Sequence, residues 1–237
     1  MKPRFGTSVR AVFMTKLTLR VTVIITTVCI VLVWATSHNV RADERVVKIV
    51  VLGDGFTSGA WLPVGRNFPD RLEFALKAKG QSVTVVNAGV GQDSAANGLA
   101  RLDRSITDDT DALILQLGAN DMIRGREPDI TRIALAAILQ KLRSRHIPVL
   151  LCGARPHANL DDAQTKAFAA MFSDLASEYS VLFYPAFDDA FVDNAQLKAA
   201  DGLHPNPAGI EAVVMRILPR VEDLIERARR RDADPHQ

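Results

Sequence analysis

Five short apolar runs constrain what this chain can fold into: residues 46–53, 83–88, 112–117, 149–152 and 181–184. They are strand-length, rich in Val, Ile and Leu, and mostly lack the polar alternation of a half-exposed strand. Strands buried on both faces need helices on both sides, and the intervening segments supply them. Pro69 opens a helix through Lys79 that Gly80 closes, Ser94 caps residues 95–104, and Pro128 opens a long amphipathic stretch to about Arg145. Asp161 begins another stretch to Tyr179, and a last helix is expected from about Pro207 to Arg231, its arginine cluster at 227–231 suiting the negative end of the helix dipole. The pattern predicts an α/β fold: three layers, α/β/α, around a doubly wound, five-stranded parallel sheet.

The first 42 residues read differently. Lys2, Arg4, Arg10, Lys16 and Arg20 precede an uncharged apolar run from Val21 to about Thr36, followed by Val40, Arg41, Ala42 and Asp43. Basic, apolar and small-residue segments in that order predict a secretory signal peptide cleaved near Ala42, with Met14 an alternative start. Residues 43–237 are then the mature domain, exported to the periplasm or secreted. The alternative is an N-terminal membrane anchor, disfavoured because the run falls short of the ~20 residues a spanning helix needs. Six of the 29 basic residues and none of the 27 acidic ones lie in residues 1–42, which leaves the mature domain near −4. That balance argues against a nucleic-acid partner. Only Cys152 remains after cleavage, in an apolar run, and is expected to be a buried thiol.

Ligands of such sheets sit outside the carboxyl ends of the strands. The turns 53–55, 89–93, 118–121 and 154–159 should meet there, joined by the loop 201–204. Acyl transfer needs a nucleophile, a base oriented by a carboxylate, and donors for an oxyanion. His204 with Asp201 three residues before it supplies base and acid, while Asn120 offers a neutral amide and Gly91 a backbone N–H. Trp61 lines an acyl pocket or covers the core, and Arg155 and His157 are weaker substrate-binding candidates at the same edge. Asp161, Asp162, Asp188 and Asp189 read as helix-start carboxylates, and no metal or other cofactor is expected. Gly53, Gly55 and Gly59 also spell a loosened dinucleotide-binding turn. Asn87 and Ala88 then stand where the ribose-binding acid belongs, which leaves a nucleotide site a remote alternative.

In these blocks the chain resembles the SGNH, or GDSL, hydrolases, and within them the periplasmic thioesterase I, lysophospholipase and arylesterase branch. The blocks are residues 85–89 at a strand end, 98–102, Gly118-Ala-Asn-Asp121 and Asp201-Gly-Leu-His-Pro-Asn206. The resemblance spans about residues 48–224 and implies a flavodoxin-like sheet and hydrolysis of small-molecule esters, thioesters or lysolipids. It also implies Gly91 and Asn120 as oxyanion donors, Asp201 and His204 as acid and base, a mobile loop at 155–160, and residue 55 as the nucleophile. The family pattern there is Gly-Asp-Ser; this chain has Gly53-Asp54-Gly55. Glycine has no hydroxyl, although its N–H can still serve an oxyanion. Three consequences are open: Thr57 or Ser58 replaces the nucleophile, His204 activates a water, or the chain is an inactive relative that binds an acyl or lipid-like ligand.

Overall fold

The apolar runs form five parallel strands in the structure, a computed structural model that describes residues 45–155 and 160–233. The leader at 1–42, the alternative start at Met14 and His157 lie outside the described residues. The strands are β1 (Val47–Gly53), β2 (Val83–Gly89), β3 (Ala112–Gln116), β4 (Val149–Cys152) and β5 (Leu182–Tyr184), in the order β2-β1-β3-β4-β5. Central β3 is buried at every residue, which is why its run is continuously apolar up to Gln116. Successive side chains still alternate between faces: Ile49 and Val51 pack on one side, Val50 and Leu52 on the other.

Seven α-helices complete the described residues: α1 (Gly55–Ser58), α2 (Phe68–Ala78), α3 (Ala95–Ser105), α4 (Ala119–Ile123), α5 (Pro128–Ser144), α6 (Asp162–Glu178) and α7 (Pro207–Ala233). Their starts follow side-chain chemistry. Asn67 caps α2 by accepting from Asp70 N, Ser94 caps α3 by accepting from Asn97 N, and Asp161 forms a capping box with Gln164. Helices α2 and α7 cover one face of the sheet, and α3, α5 and α6 the other. Cys152 is buried in the first of these layers, and burial pushes its thiol well above the ordinary range. No helix of the described residues is long and apolar enough to cross a membrane.

The order of the strands positions the site. From β1 the chain moves outward to β2, then crosses back over β1 to β3 and continues to β5. Right-handed crossovers running in opposite directions leave α2 and α3 on opposite faces, and a crevice opens where the direction reverses, at the carboxyl ends of β1 and β3.

Candidate active site

The turn after β1 is built by close approach. A methyl group on Gly53 would collide with Thr57 Oγ1, and one on Gly89 would lie 2.5 Å from Ser58 N, so α1 can sit against the ends of β1 and β2 only if both are glycine. Gly59 ends α1 in the left-handed conformation, φ 60°. Two of the three glycines that resemble a dinucleotide turn, Gly53 and Gly59, thus have a steric cause. Asp54 caps α1, accepting from Phe56 N at 3.0 Å, and Gly55 opens the helix facing the crevice.

Across the crevice stands His204. Its Nδ1 lies 2.6 Å from Asp201 Oδ2, while Asp201 Oδ1 accepts from Leu203 N and His204 N, both at 2.9 Å. The His204 ring, then these two N–H groups, hold the Asp201 carboxyl down at about 2. With Nδ1–H donating to Asp201, the remaining nitrogen Nε2 is the acceptor. It faces Gly55: a Cβ on that glycine would lie 3.3 Å from Nε2. Trp61 packs on the imidazole with ring centroids 4.1 Å apart and donates from Nε1 to Pro205 O at 3.2 Å, while Phe56 meets the ring edge-on at 5.8 Å. The imidazole is therefore held by the carboxylate at one nitrogen and by two aromatic rings at its sides.

The two expected oxyanion donors, Gly91 and Asn120, stand in the turns after β2 and β3. Gly91 N–H has no hydrogen-bond acceptor among the described residues. Arg124 at the end of α4 donates to Gln92 O at 2.7 Å and fastens that turn, where Gln92 is left-handed with φ 64°. Asn120 Nδ2 donates to Asp93 O at 3.1 Å and, more weakly, to Asp54 Oδ2 at 3.3 Å. Gly55, Gly91, Asn120, Trp61 and His204 together line a cleft of about 460 Å³, with Phe56, Ile123 and Leu203 among its apolar walls. A larger cleft of about 830 Å³ lies at the opposite end of the sheet among Arg143, Arg145, His146, Arg227 and Arg230. It contains none of Gly55, Gly91, Asn120, Asp201 and His204, so the smaller cleft is the candidate site.

The remaining sequence candidates are held by other partners, although Ser58 also lines the cleft. Arg155 does not line the cleft; its guanidinium pairs with Asp193, and its N–H donates to Asp188 Oδ1 at 3.0 Å. Thr57 is fully buried with its hydroxyl on Asp54 O at 3.1 Å, and Ser58 Oγ bonds Gly55 O at 3.2 Å. Neither hydroxyl is paired with His204. Sequence reasoning passed over the buried polar groups behind the cleft: Asp54, Asp93, Gln116 and Arg101. Arg101 shares the inward stripe of α3 with Ala95, Gly98 and Leu102, and that helical spacing was the available signal.

Asp54 has a testable consequence. Its burial pushes the carboxyl up to about 7, against the Phe56 N–H and Gln116, with Asp93 and Asp121 pushing it further up. The folded state therefore holds a proton that the unfolded chain releases near pH 4, and stability falls as pH rises from about 4 to 7. From 3.8 to about 7 the loss is roughly 4 kcal/mol. Asp54→Asn keeps an acceptor for Phe56 N and removes the proton, so its urea-unfolding free energy should fall by that much less than wild type between pH 4 and 7.5. Parallel profiles for the two proteins would show that Asp54 does not titrate in this window.

The chain is similar to known proteins along most of the described domain. The GDSL-like Lipase/Acylhydrolase family pattern matches residues 51–212. An arylesterase of Vibrio mimicus is 31% identical over 179 residues, 75% of this chain and 88% of its own length. Thioesterase 1/protease 1/lysophospholipase L1 of Escherichia coli K12 is 31% identical over 176 residues, 74% of this chain and 81% of its own. The crystal structure of TesA superposes with a TM-score of 0.71 at 27% identity, covering 75% of this chain and 99% of that one.

Proposed function

This chain belongs to the GDSL-like lipase/acylhydrolase family, the SGNH hydrolases, and from that premise we propose that it cleaves ester or thioester bonds with water activated directly by His204. One observation carries the reading: Nε2 of the imidazole that Asp201 holds at Nδ1 faces Gly55, which has no side-chain oxygen. A water held at Nε2 gives its proton to His204 as it attacks the acyl carbon. The N–H groups of Gly55 and Gly91 and the Asn120 amide receive the oxyanion, Asn120 exchanging its long contact with Asp54 for the substrate. The imidazolium then protonates the leaving group. Oxyanion stabilisation and binding alone preserve ~10³ to 10⁴-fold catalysis over water when a triad member is missing. Aryl esters and thioesters, whose leaving groups depart readily, are the substrates best matched to such a site, and the acyl chain would lie along Phe56, Trp61, Ile123 and Leu203.

A second reading is favoured by Asn120, whose two amide hydrogens are both engaged by Asp93 and Asp54. In it the cleft binds an acyl or lipid-like ligand without turning it over. The two part on one experiment. Turnover of a short-chain aryl ester by the purified full chain should drop ~10²-fold or more in His204→Ala. Turnover that ignores this substitution removes His204 as the base; tight binding of a long-chain acyl ester with no His204-dependent turnover assigns the binding role.

A further inference from the structure

We infer that the place between Gly55 and His204 Nε2 accepts a small external nucleophile of two heavy atoms, methanol or hydroxylamine in size, and that the chain transfers acyl groups to it. The inference rests on His204 acting as the base, and it names the second substrate of that same site.

The argument is one of volume and direction. A serine side chain is a CH₂–OH group, and a glycine in its place leaves methanol as the missing piece. A Cβ at residue 55 would stand 3.3 Å from Nε2 and 3.8 Å from both His204 Cδ2 and Trp61 Cζ3. The oxygen of a bound alcohol therefore has an acceptor on one side and ring carbons on two others. A separate molecule must stand off Gly55 Cα by a van der Waals distance, and the cleft that Gly55 shares with Gly91 leaves room for its carbon, since a Cβ on Gly91 would meet nothing within 4 Å. Isopropanol brings two heavy atoms more than the missing CH₂–OH group. Methanol and hydroxylamine match the missing group in size, and isopropanol exceeds it.

The step balances without a further reagent. The alcohol O–H gives its proton to Nε2 while its oxygen bonds the acyl carbon of an aryl ester. Collapse of the oxyanion breaks the bond to the aryl oxygen, and the imidazolium returns the proton to that leaving group. The products are the methyl ester and the phenol; with hydroxylamine they are the hydroxamic acid and the phenol. An acyl-enzyme at residue 55 is absent from this route, so the external nucleophile attacks in the first step. Its concentration then raises the rate of phenol release itself.

The test uses purified full chain, a short-chain aryl ester, and methanol, hydroxylamine or isopropanol. Phenol release by the wild type should rise about tenfold at ~1 M methanol or hydroxylamine, with methyl ester or hydroxamate recovered, and should not rise with isopropanol. Gly55→Ala, which puts a methyl group in the place, should lose the acceleration, and so should His204→Ala. His204-dependent hydrolysis that methanol and hydroxylamine leave unchanged overturns this inference and spares the hydrolytic reading. Loss of His204 dependence in water and alcohol alike overturns both. Acceleration that survives in Gly55→Ala, or that is equal for isopropanol, overturns the placement, and the alcohol series needs no folded variant.

Discussion

Gly55→Ser is expected to raise kcat/KM for a short-chain aryl ester by ~10⁴-fold or more, because it restores a hydroxyl beside an intact base. Removing the serine of a hydrolytic triad costs ~10⁶-fold in turnover, which bounds the reverse change from above. The backbone accepts the substitution, since Gly55 is the first residue of α1 and is not among the positive-φ glycines. Its new Cβ would be 3.3 Å from His204 Nε2, so the substitution requires the imidazole to give by a few tenths of an ångström. Oγ, one bond further on, then reaches hydrogen-bond distance of Nε2 in one of its staggered rotamers. A fluorophosphonate should label the variant at residue 55 and leave the wild type unlabelled. An unchanged rate with no label would mean that residue 55 is not where the attacking atom belongs. Labelling of the wild type at Ser58 or Thr57 would show that a neighbouring hydroxyl has left its carbonyl partner to do the work.

Much of this frame was legible in the sequence because burial on both faces of a sheet writes itself as uninterrupted apolar runs. All five strands lie where those runs lie, with ends shifted by one residue at most. The long helices were legible from their caps, Ser94 and Asp161 among them. Helices α1 and α4, with four and five residues, are shorter than two turns and leave no periodicity to read. They nevertheless place Gly55 and Asn120. The Asp201–His204 pairing was visible because both residues sit within one four-residue loop; the packing of Trp61 on His204 joins positions 143 residues apart, and no local pattern encodes it. The arginines at 227–231 are only partly a solvated helix end: Arg227 donates to Ser180 O at 3.1 Å and Arg231 to Asp111 at 3.2 Å. Such bonds depend on which loops surround the end of α7, a tertiary fact.

Arg101 shows the same limit with the largest stability consequence. Arg101→Met is expected to cost about 3–5 kcal/mol of folding free energy, since it leaves the buried Asp93 carboxylate without its countercharge. The guanidinium, 6% exposed, donates from Nε to Asp93 at 2.6 Å, from Nη1 to Ala88 O at 2.7 Å and from Nη2 to Gly53 O at 3.0 Å. One side chain thus ties the ends of β1 and β2 to the turn that carries Gly91, and Asp93 in turn accepts from the Asn120 amide through its carbonyl. In a domain of this size the loss lowers the thermal midpoint by about 10 °C. Arg101→Lys should rescue only part of it, because an ammonium lacks the planar fork that reaches Asp93, Ala88 O and Gly53 O at once. Arg101→Met combined with Asp93→Leu should recover more than Asp93→Leu and Arg101→Met predict by addition, since the cost lies in the unpaired charge more than in the missing bonds. A midpoint within ~2 °C of wild type in Arg101→Met would mean that water replaces the guanidinium and that the pair is not desolvated. If the destabilisation is found, residual ester turnover at a temperature where the variant is folded separates the two roles. A purely structural arginine leaves KM and kcat alone, whereas one that holds the Gly91 turn lowers kcat through the misplaced oxyanion donors.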